Sequence, residues 1–295
     1  MKGSRTQKSV TNTVVSFVSQ LIVILLGFLS RRVLIYSVGV EYLGINGLMS
    51  NILTIFSLAE SGIGLAIGYA LYKPLAENDI EQVKSLMRFF KYTYRALAIG
   101  TAAIGIAFYP LLPFFLKDNT APDANLVYWL FLLGSVSSYL WVYKTTLNTS
   151  DQNKYLYTIA STIAQIVVLV LKVLILYFVQ NYILYLAVDI GTTIVKNLIF
   201  CRIVDRRYPY LKDKNVRKLD PEVRKSLFTN IKALFLGKVG YIISQCSDNL
   251  VISSLVSVTA VGMYSNYTTL ITSVSGFVTT SVSYTHLTLP TKRIV

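Results

Sequence analysis

Three observations predict an all-α protein that crosses a membrane several times. Of 295 residues, 54% are hydrophobic and only 14% charged, where a soluble domain carries about 25% charged residues. Apolar stretches of about 20 residues recur along the chain, the length a helix needs to cross a hydrocarbon core of roughly 30 Å. Positive charges gather between alternate stretches instead of spreading evenly. This composition excludes a soluble enzyme and a disordered chain, and two cysteines exclude a disulfide scaffold. Barrel strands would alternate over about ten residues; residues 166–176 (IVVLVLKVLIL) do not alternate.

About eight transmembrane helices are predicted, at 11–35, 43–68, 96–116, 126–147, 159–178, 183–200, 231–255 and 261–281. The first follows Lys2, Arg5 and Lys8 and runs into Arg31 and Arg32, with no small-residue cleavage site, so it is read as a retained span. The second ends in Gly62-Ile-Gly64-Leu-Ala-Ile-Gly68, which lacks the Lys-Ser/Thr ending of a phosphate loop and instead suits close helix packing. In the connection 73–95, Pro74 and the Asn78-Asp79 cap precede Ile80, Val83, Leu86 and Met87 at helical spacing, which predicts an amphipathic helix lying at the interface. The connection after the sixth span holds Arg202, Arg206, Arg207, Lys212, Lys214, Arg217, Lys218, Arg224 and Lys225, and Asp220-Pro221-Glu222 opens a helix there.

These clusters set the orientation. The N-terminus and the second, fourth and sixth connections are basic, while the odd-numbered ones are nearly bare. By the positive-inside rule the N-terminus and the end of the eighth helix are cytoplasmic. The net charge of +14 belongs to this pattern, so no nucleic-acid partner is predicted. Cys201 and Cys246 lie far apart, His286 is the sole histidine, and no nucleotide or metalloprotease motif occurs; no catalytic residue, metal or cofactor is predicted, and the protein is read as a non-enzyme.

Ionisable residues inside spans are costly and mark cavities or partners. Lys172 and Asp189 lie at matching depth on either side of the turn near Gln180 and Asn181, which predicts an ion pair, while Lys196 snorkels. In the first span Ser16, Gln20, Gly27 and Arg31 share one face; in the seventh Lys238, Tyr241, Gln245, Asp248 and Asn249 do. Such long polar stripes predict a water-filled cavity. The candidate cavity residues are Gln20, Arg31, Arg32, Glu60, Lys238, Gln245, Asp248 and Asn249. Arg31 with Asp248 toward the outside, and Glu60 with Lys238 toward the cytoplasm, are expected to oppose one another as alternating gates.

A shift of 218 residues lays the first span on the seventh without a gap, matching Thr11/Thr229, Asn12/Asn230, Phe17/Phe235, Ile24/Ile242, Val33/Val251, Val38/Val256, Val40/Val258 and Gly44/Gly262. A parallel repeat of a six-helix unit follows: an N-terminal lobe at 1–202, a basic cytoplasmic linker at 203–230, and the first two helices of a second lobe at 231–281.

The segments 69–79 (YALYKPLAEND), 151–155 (DQNKY), 230–235 (NIKALF) with Lys238 and Gly240, 248–253 (DNLVIS) and 260–266 (AVGMYSN) resemble polysaccharide transporter family proteins. These are the Wzx-type O-antigen flippases of the multidrug/oligosaccharidyl-lipid/polysaccharide exporter superfamily. The resemblance implies two six-helix lobes around a cleft lined by helices one, two, seven and eight, in the bacterial inner membrane. It also implies outward movement of an undecaprenyl-diphosphate-linked oligosaccharide for capsule or O-antigen synthesis, with membrane lipid and glycan polymerases as partners. A cation-coupled multidrug exporter of the same superfamily and, in another class, a polytopic membrane glycosyltransferase or polymerase are the alternatives. From about residue 282 the chain reads Val282-Ser-Tyr-Thr-His-Leu-Thr-Leu-Pro-Thr291, which resembles a sequencing adapter; a non-native tail at 282–295 on a fragment is therefore expected.

Overall fold

A computed structural model describes residues 5–57, 60–116, 123–213 and 215–288, side chains excepted at 5–10, 61, 241–242, 244–245, 277 and 280–288. All regular structure among them is helical: α1 (Arg5–Val38), α2 (Val40–Phe56), α3 (Glu60–Glu77), α4 (Ile80–Phe108), the short α5 (Leu112–Phe115), α6 (Ala124–Ser150), α7 (Lys154–Phe178), α8 (Tyr182–Arg207), α9 (Pro221–Leu255) and α10 (Val258–Thr288). Among the described residues, five segments are long and apolar enough to cross a membrane: α1, α4 with α5, α6, α7 and α8. The chain is an all-α multi-pass membrane protein.

The remaining long helices are more polar for identifiable reasons. α9 carries Lys232, Lys238 and Asp248. α10 is rich in Ser and Thr, but its hydroxyls bond back to the preceding turn: Thr269 to the Ser265 carbonyl at 2.8 Å, Thr272 to Thr268 at 2.8 Å and Thr279 to Ser275 at 2.8 Å. Hydroxyls satisfied inside their own helix expose no unmet polar group to lipid.

Two expected elements differ. The second apolar stretch is two helices, α2 of 17 residues and α3 of 18. The turn at its junction begins at Ser57, whose hydroxyl caps the Leu53 carbonyl at 2.8 Å, and Leu58 and Ala59 lie outside the described residues. The expected interfacial helix is not separate: Asp79 caps Gln82 at 2.9 Å, and α4 then runs unbroken from Ile80 into the third span. Val83, Leu86 and Met87 are buried in the bundle, since α4 is continuous and its first turns stay packed on α3.

α1 packs on α7, α4 on α6, and α6 and α7 on α8, forming the N-terminal bundle. Its core has two parts. One centres on Ile45, Leu48, Met49, Val127 and Tyr128; the other centres on Ile67, Leu71, Leu86, Phe90 and Tyr139. Asn12 ties α1 to the α6–α7 turn: its amide donates to the Gln152 carbonyl at 2.9 Å and its oxygen accepts from the Tyr155 N–H at 2.7 Å. That turn is further held by Tyr208, which donates to Asp151 at 2.7 Å. Burial, then Asp151 itself, pushes the Tyr208 hydroxyl up, so it remains a donor. The connector spans 208–220 and opens with a 3-10 turn at Pro209–Lys212, and Asp220 caps α9 by accepting from the Glu222 N–H at 2.9 Å. α10 continues to Thr288, past the end expected at 281; the last seven residues of the expected tail lie outside the described residues, as does the side chain of His286.

The shift of 218 residues is also present in the helix boundaries. α2 begins at Val40 and α10 at Val258, each after a short break that ends the preceding long helix.

Candidate functional site: the crossing of α2 and α10

Helices α1, α2, α9 and α10 meet at a crossing built on glycine. A Cβ on Gly44 would fall on the Val258 carbonyl oxygen, and one on Gly262 would lie 2.6 Å from the Val40 carbonyl oxygen. Gly44 and Gly262, like Val40 and Val258, are 218 residues apart. Each glycine therefore packs on the repeat-equivalent of the residue that its own counterpart touches. This is the reciprocal pattern of a two-fold interface, here within one chain. On the axis, a Cβ on Gly47 would lie 2.6 Å from the Ser265 hydroxyl, its own equivalent at the same shift. Only the absence of side chains lets the two backbones approach so closely.

Beside the crossing is a cavity of about 350 Å³ lined by Gly27, Ser30, Arg31, Asn46, Ser50, Asn51, Tyr185, Asn249, Ser265 and Thr268, with Leu34, Leu43 and Gly47. Arg31 is the one charged side chain in this lining. Its guanidinium donates to the Ser265 carbonyl at 2.6 Å and to the Asn266 side-chain oxygen at 2.9 Å, joining α1 to α10. Asn249, 7% exposed, also lines the cavity, and its side-chain oxygen is buried without a partner among the described residues. Arg31 and Asn249 are again 218 residues apart. They thus line the same space from places related by that shift, one as a donor-rich cation and one as a neutral amide. Ser30 and Tyr185, both in the lining, share a 3.3 Å hydrogen bond between their hydroxyls.

The other expected cavity residues are dispersed. Gln20 packs on α10, its amide nitrogen 2.9 Å from where a Cβ on Gly276 would stand. Arg32 is exposed, with its guanidinium 5.7 Å from the Tyr36 ring, and does not line the cavity. Asp248 is exposed and accepts from the Tyr264 hydroxyl at 2.6 Å. The expected pairing of Arg31 with Asp248 is absent from the described ion pairs. The depth-equivalent of Arg31 is Asn249, and Asp248, one residue earlier, is turned by about 100° toward the flank of α10. Glu60 hydrogen-bonds Tyr139 and feels the charge of the exposed Lys238, without an ion pair between them. The side chains of Gln245 and Tyr241 lie outside the described residues. Lys172 and Asp189 meet at 2.9 Å, and the ammonium sits 4.2 Å from the Tyr185 ring centre, beside the cavity.

Sequence reasoning missed Asn46, Ser50 and Asn51; Asn46 and Ser50 lie about 40° apart on α2 and were findable by the face test applied to α1, while Asn51 lies about 100° further round. Ser265 was findable as the equivalent of Gly47. Of the glycine run, Gly62 makes the closest approach, to the α9 backbone, 2.8 Å from the Ile231 carbonyl oxygen; Gly64 and Gly68 face Tyr94 and Ser150.

The fold and site define a helical membrane protein whose repeat-related helices cross beside a polar, singly cationic cavity. The polysaccharide biosynthesis protein family matches residues 9–286, nearly the whole chain, and the chain belongs to it. Among solved structures it is similar to a multidrug resistance MATE family transporter of the MOP superfamily in an inward-facing conformation. The TM-score is 0.58 and the identity 14%, over 92% of this chain and 64% of the transporter. At that identity the likeness establishes a shared fold, and this chain spans 64% of that transporter's length. No curated protein matches.

Proposed function

We propose that the chain forms the cleft of an exporter that moves an undecaprenyl-diphosphate-linked oligosaccharide outward across the bacterial inner membrane by alternating access of two lobes. The observation that carries this reading is the charge of the cavity: Arg31 has no carboxylate beside it in the lining. An anionic diphosphate gains charge-assisted hydrogen bonds there. A lipophilic cation, the cargo of the multidrug alternative, is repelled by the same guanidinium. Family membership supports the glycan part of the cargo. In this reading the N-terminus is cytoplasmic, and the glycine crossing is the closed side of the cleft.

The test is transport of fluorescent undecaprenyl-diphosphate-linked oligosaccharide in proteoliposomes. Arg31→Gln is expected to weaken cargo binding by roughly ten- to a hundredfold, the worth of one or two hydrogen bonds to a charged group. Arg31→Lys, which keeps the charge, is expected to retain part of it. Unchanged binding in Arg31→Gln, or export of lipophilic cations that is improved by it, would overturn the assignment of the diphosphate to this cavity.

A further inference from the structure

A second polar cavity, of about 570 Å³, lies where α4, α6 and α8 meet the connector, and it shares no residue with the cavity at the crossing. Its cations come from three elements: Lys84, Arg88 and Lys91 on α4, Lys144 on α6 and Lys212 on the connector. Two of them are neutralised. Lys144 meets Asp205 at 2.7 Å, and Lys84 meets Asp213 at 3.0 Å and Glu81 at 2.5 Å. Arg88, Lys91 and Lys212 are exposed and make no ion pair among the described residues; the contact of Arg88 is a long 3.3 Å bond to the Val216 carbonyl. Tyr210 adds no negative charge, because burial, with Asp151 adding to it, pushes its hydroxyl up to about 12. The cavity is thus built to hold an anion.

What lies along the membrane from this cavity identifies the anion's carrier. On α4, Tyr92 lines the cavity, and Ile99 and Ile106 follow at seven-residue spacing, 56%, 72% and 59% exposed. On α6, Leu140 stands one turn from Lys144, and Leu133 and Leu126 follow at the same spacing, 44%, 56% and 48% exposed. Seven residues return to nearly the same face of a helix, and α4 packs on α6. Two apolar stripes therefore lead away from one cationic cavity on neighbouring helices. Each spans fourteen residues, about 21 Å at 1.5 Å per residue, which exceeds the roughly 15 Å of one leaflet. Two stripes accommodate two chains, where a polyprenyl carrier has one.

We propose that this cavity binds the headgroup phosphate of an anionic phospholipid, with the two acyl chains lying along the α4 and α6 stripes. Basic pockets between helices on the cytoplasmic side suit such headgroups. The lipid is a bound partner of the N-terminal bundle, separate from any cargo. It would cross-link α4 and the connector through the three cations that lack carboxylates.

The experiment is lipid binding by the purified full chain, measured by native mass spectrometry together with thermal unfolding in detergent. Phosphatidylglycerol should be retained and raise the unfolding midpoint, while phosphatidylcholine with the same chains should do neither. The triple variant Arg88→Gln, Lys91→Gln, Lys212→Gln should weaken phosphatidylglycerol binding on the order of a hundredfold, and Lys212→Gln alone, on the connector, about fivefold. Arg224→Gln with Lys225→Gln, which removes charge elsewhere, should leave binding within about twofold. The proposal fails if that control loses as much as the triple variant, because the attraction is then diffuse. It fails also if undecaprenyl diphosphate is bound in preference to phosphatidylglycerol and lost in the triple variant, or if glycerol phosphate alone binds as tightly as the lipid.

Discussion

Adding one methyl group at the α2–α10 crossing tests whether that contact is as close as the reciprocal glycines indicate. In Gly262→Ala the new Cβ would stand 2.6 Å from the Val40 carbonyl oxygen, whereas ordinary contact begins at 3.4 Å. The helices must therefore part by about 0.8 Å, and the obstacle is backbone, which cannot rotate aside as a side chain does. Overpacking of this kind costs about 1–3 kcal/mol, while replacing Gly by Ala inside a helix returns up to about 1 kcal/mol. The net loss reaches about 2 kcal/mol, or up to about a thirtyfold shift in the equilibrium between this closed crossing and whatever competes with it. Gly44→Ala places its Cβ on the repeat-equivalent oxygen, closer still, and should cost at least as much. The double variant should cost less than the sum of the singles, because separating the helices once relieves both clashes. Gly100→Ala, with nothing within 4 Å of its Cβ, serves as the control and should be neutral or slightly stabilising. Thermal unfolding in detergent, paired with labelling of a cysteine at Ser265, reads both outcomes: lower midpoints and faster labelling in the two crossing variants only. Wild-type midpoints and labelling in Gly44→Ala and Gly262→Ala would refute the close approach.

Other consequences are more local. Asn12→Ala removes both bonds to the α6–α7 turn and should lower stability by about 1–3 kcal/mol, whereas Asn12→Asp keeps the acceptor for the Tyr155 N–H and should lose less; equal losses would assign the effect to something other than these two bonds. Lys172→Met leaves Asp189 unpaired and should cost between about 1 and 3 kcal/mol, less than a fully buried pair because Asp189 is 46% exposed. The exchange Lys172→Asp with Asp189→Lys should recover part of that loss, and no recovery would mean that the Tyr185 ring, not the carboxylate, holds the lysine. Cysteines at Asn181 and Asn215 should be labelled from outside and inside the cell respectively, and the reverse pattern would invert the orientation.

The sequence made most of the architecture legible because lipid imposes helix length and loop charge directly. Where it misled, a local feature outweighed the pattern. The apolar run 43–68 contains no Pro or charge before Glu60, so hydropathy has no means of marking the break between α2 and α3 near Ser57. The polar residues of 78–95 suggested a helix at the interface, but the amphipathic face of α4 is turned into the bundle, where Phe90 and Tyr94 are also buried. Both Asp248 and Asn249 are candidates on the polar face of α9, but charge assigns the pairing with Arg31 to Asp248, while the residue that lines the cavity is its neutral neighbour Asn249. A 100° step on a helix decides such matters, and the repeat shift applied residue by residue from Arg31 points to position 249. Arg32 illustrates the same limit: adjacency in sequence placed it beside Arg31, but it lies on another face and meets Tyr36.

The connector between α8 and α9 is fastened to the first turns of α4 along most of its length. Ser85 donates to the Arg217 carbonyl at 2.9 Å, Arg88 to that of Val216, and Lys84 holds Asp213. Only Lys218, Leu219 and Asp220 separate the last of these fastenings from Pro221, where α9 begins. In the proposed alternating access, a rocking motion of α9 and α10 against the bundle would have a crank of three residues, not a slack tether of thirteen. Its torsional play would be small, so the swing of α9 would be steered at its base by α4, and lengthening those three residues would decouple the two halves without touching the cavity between them.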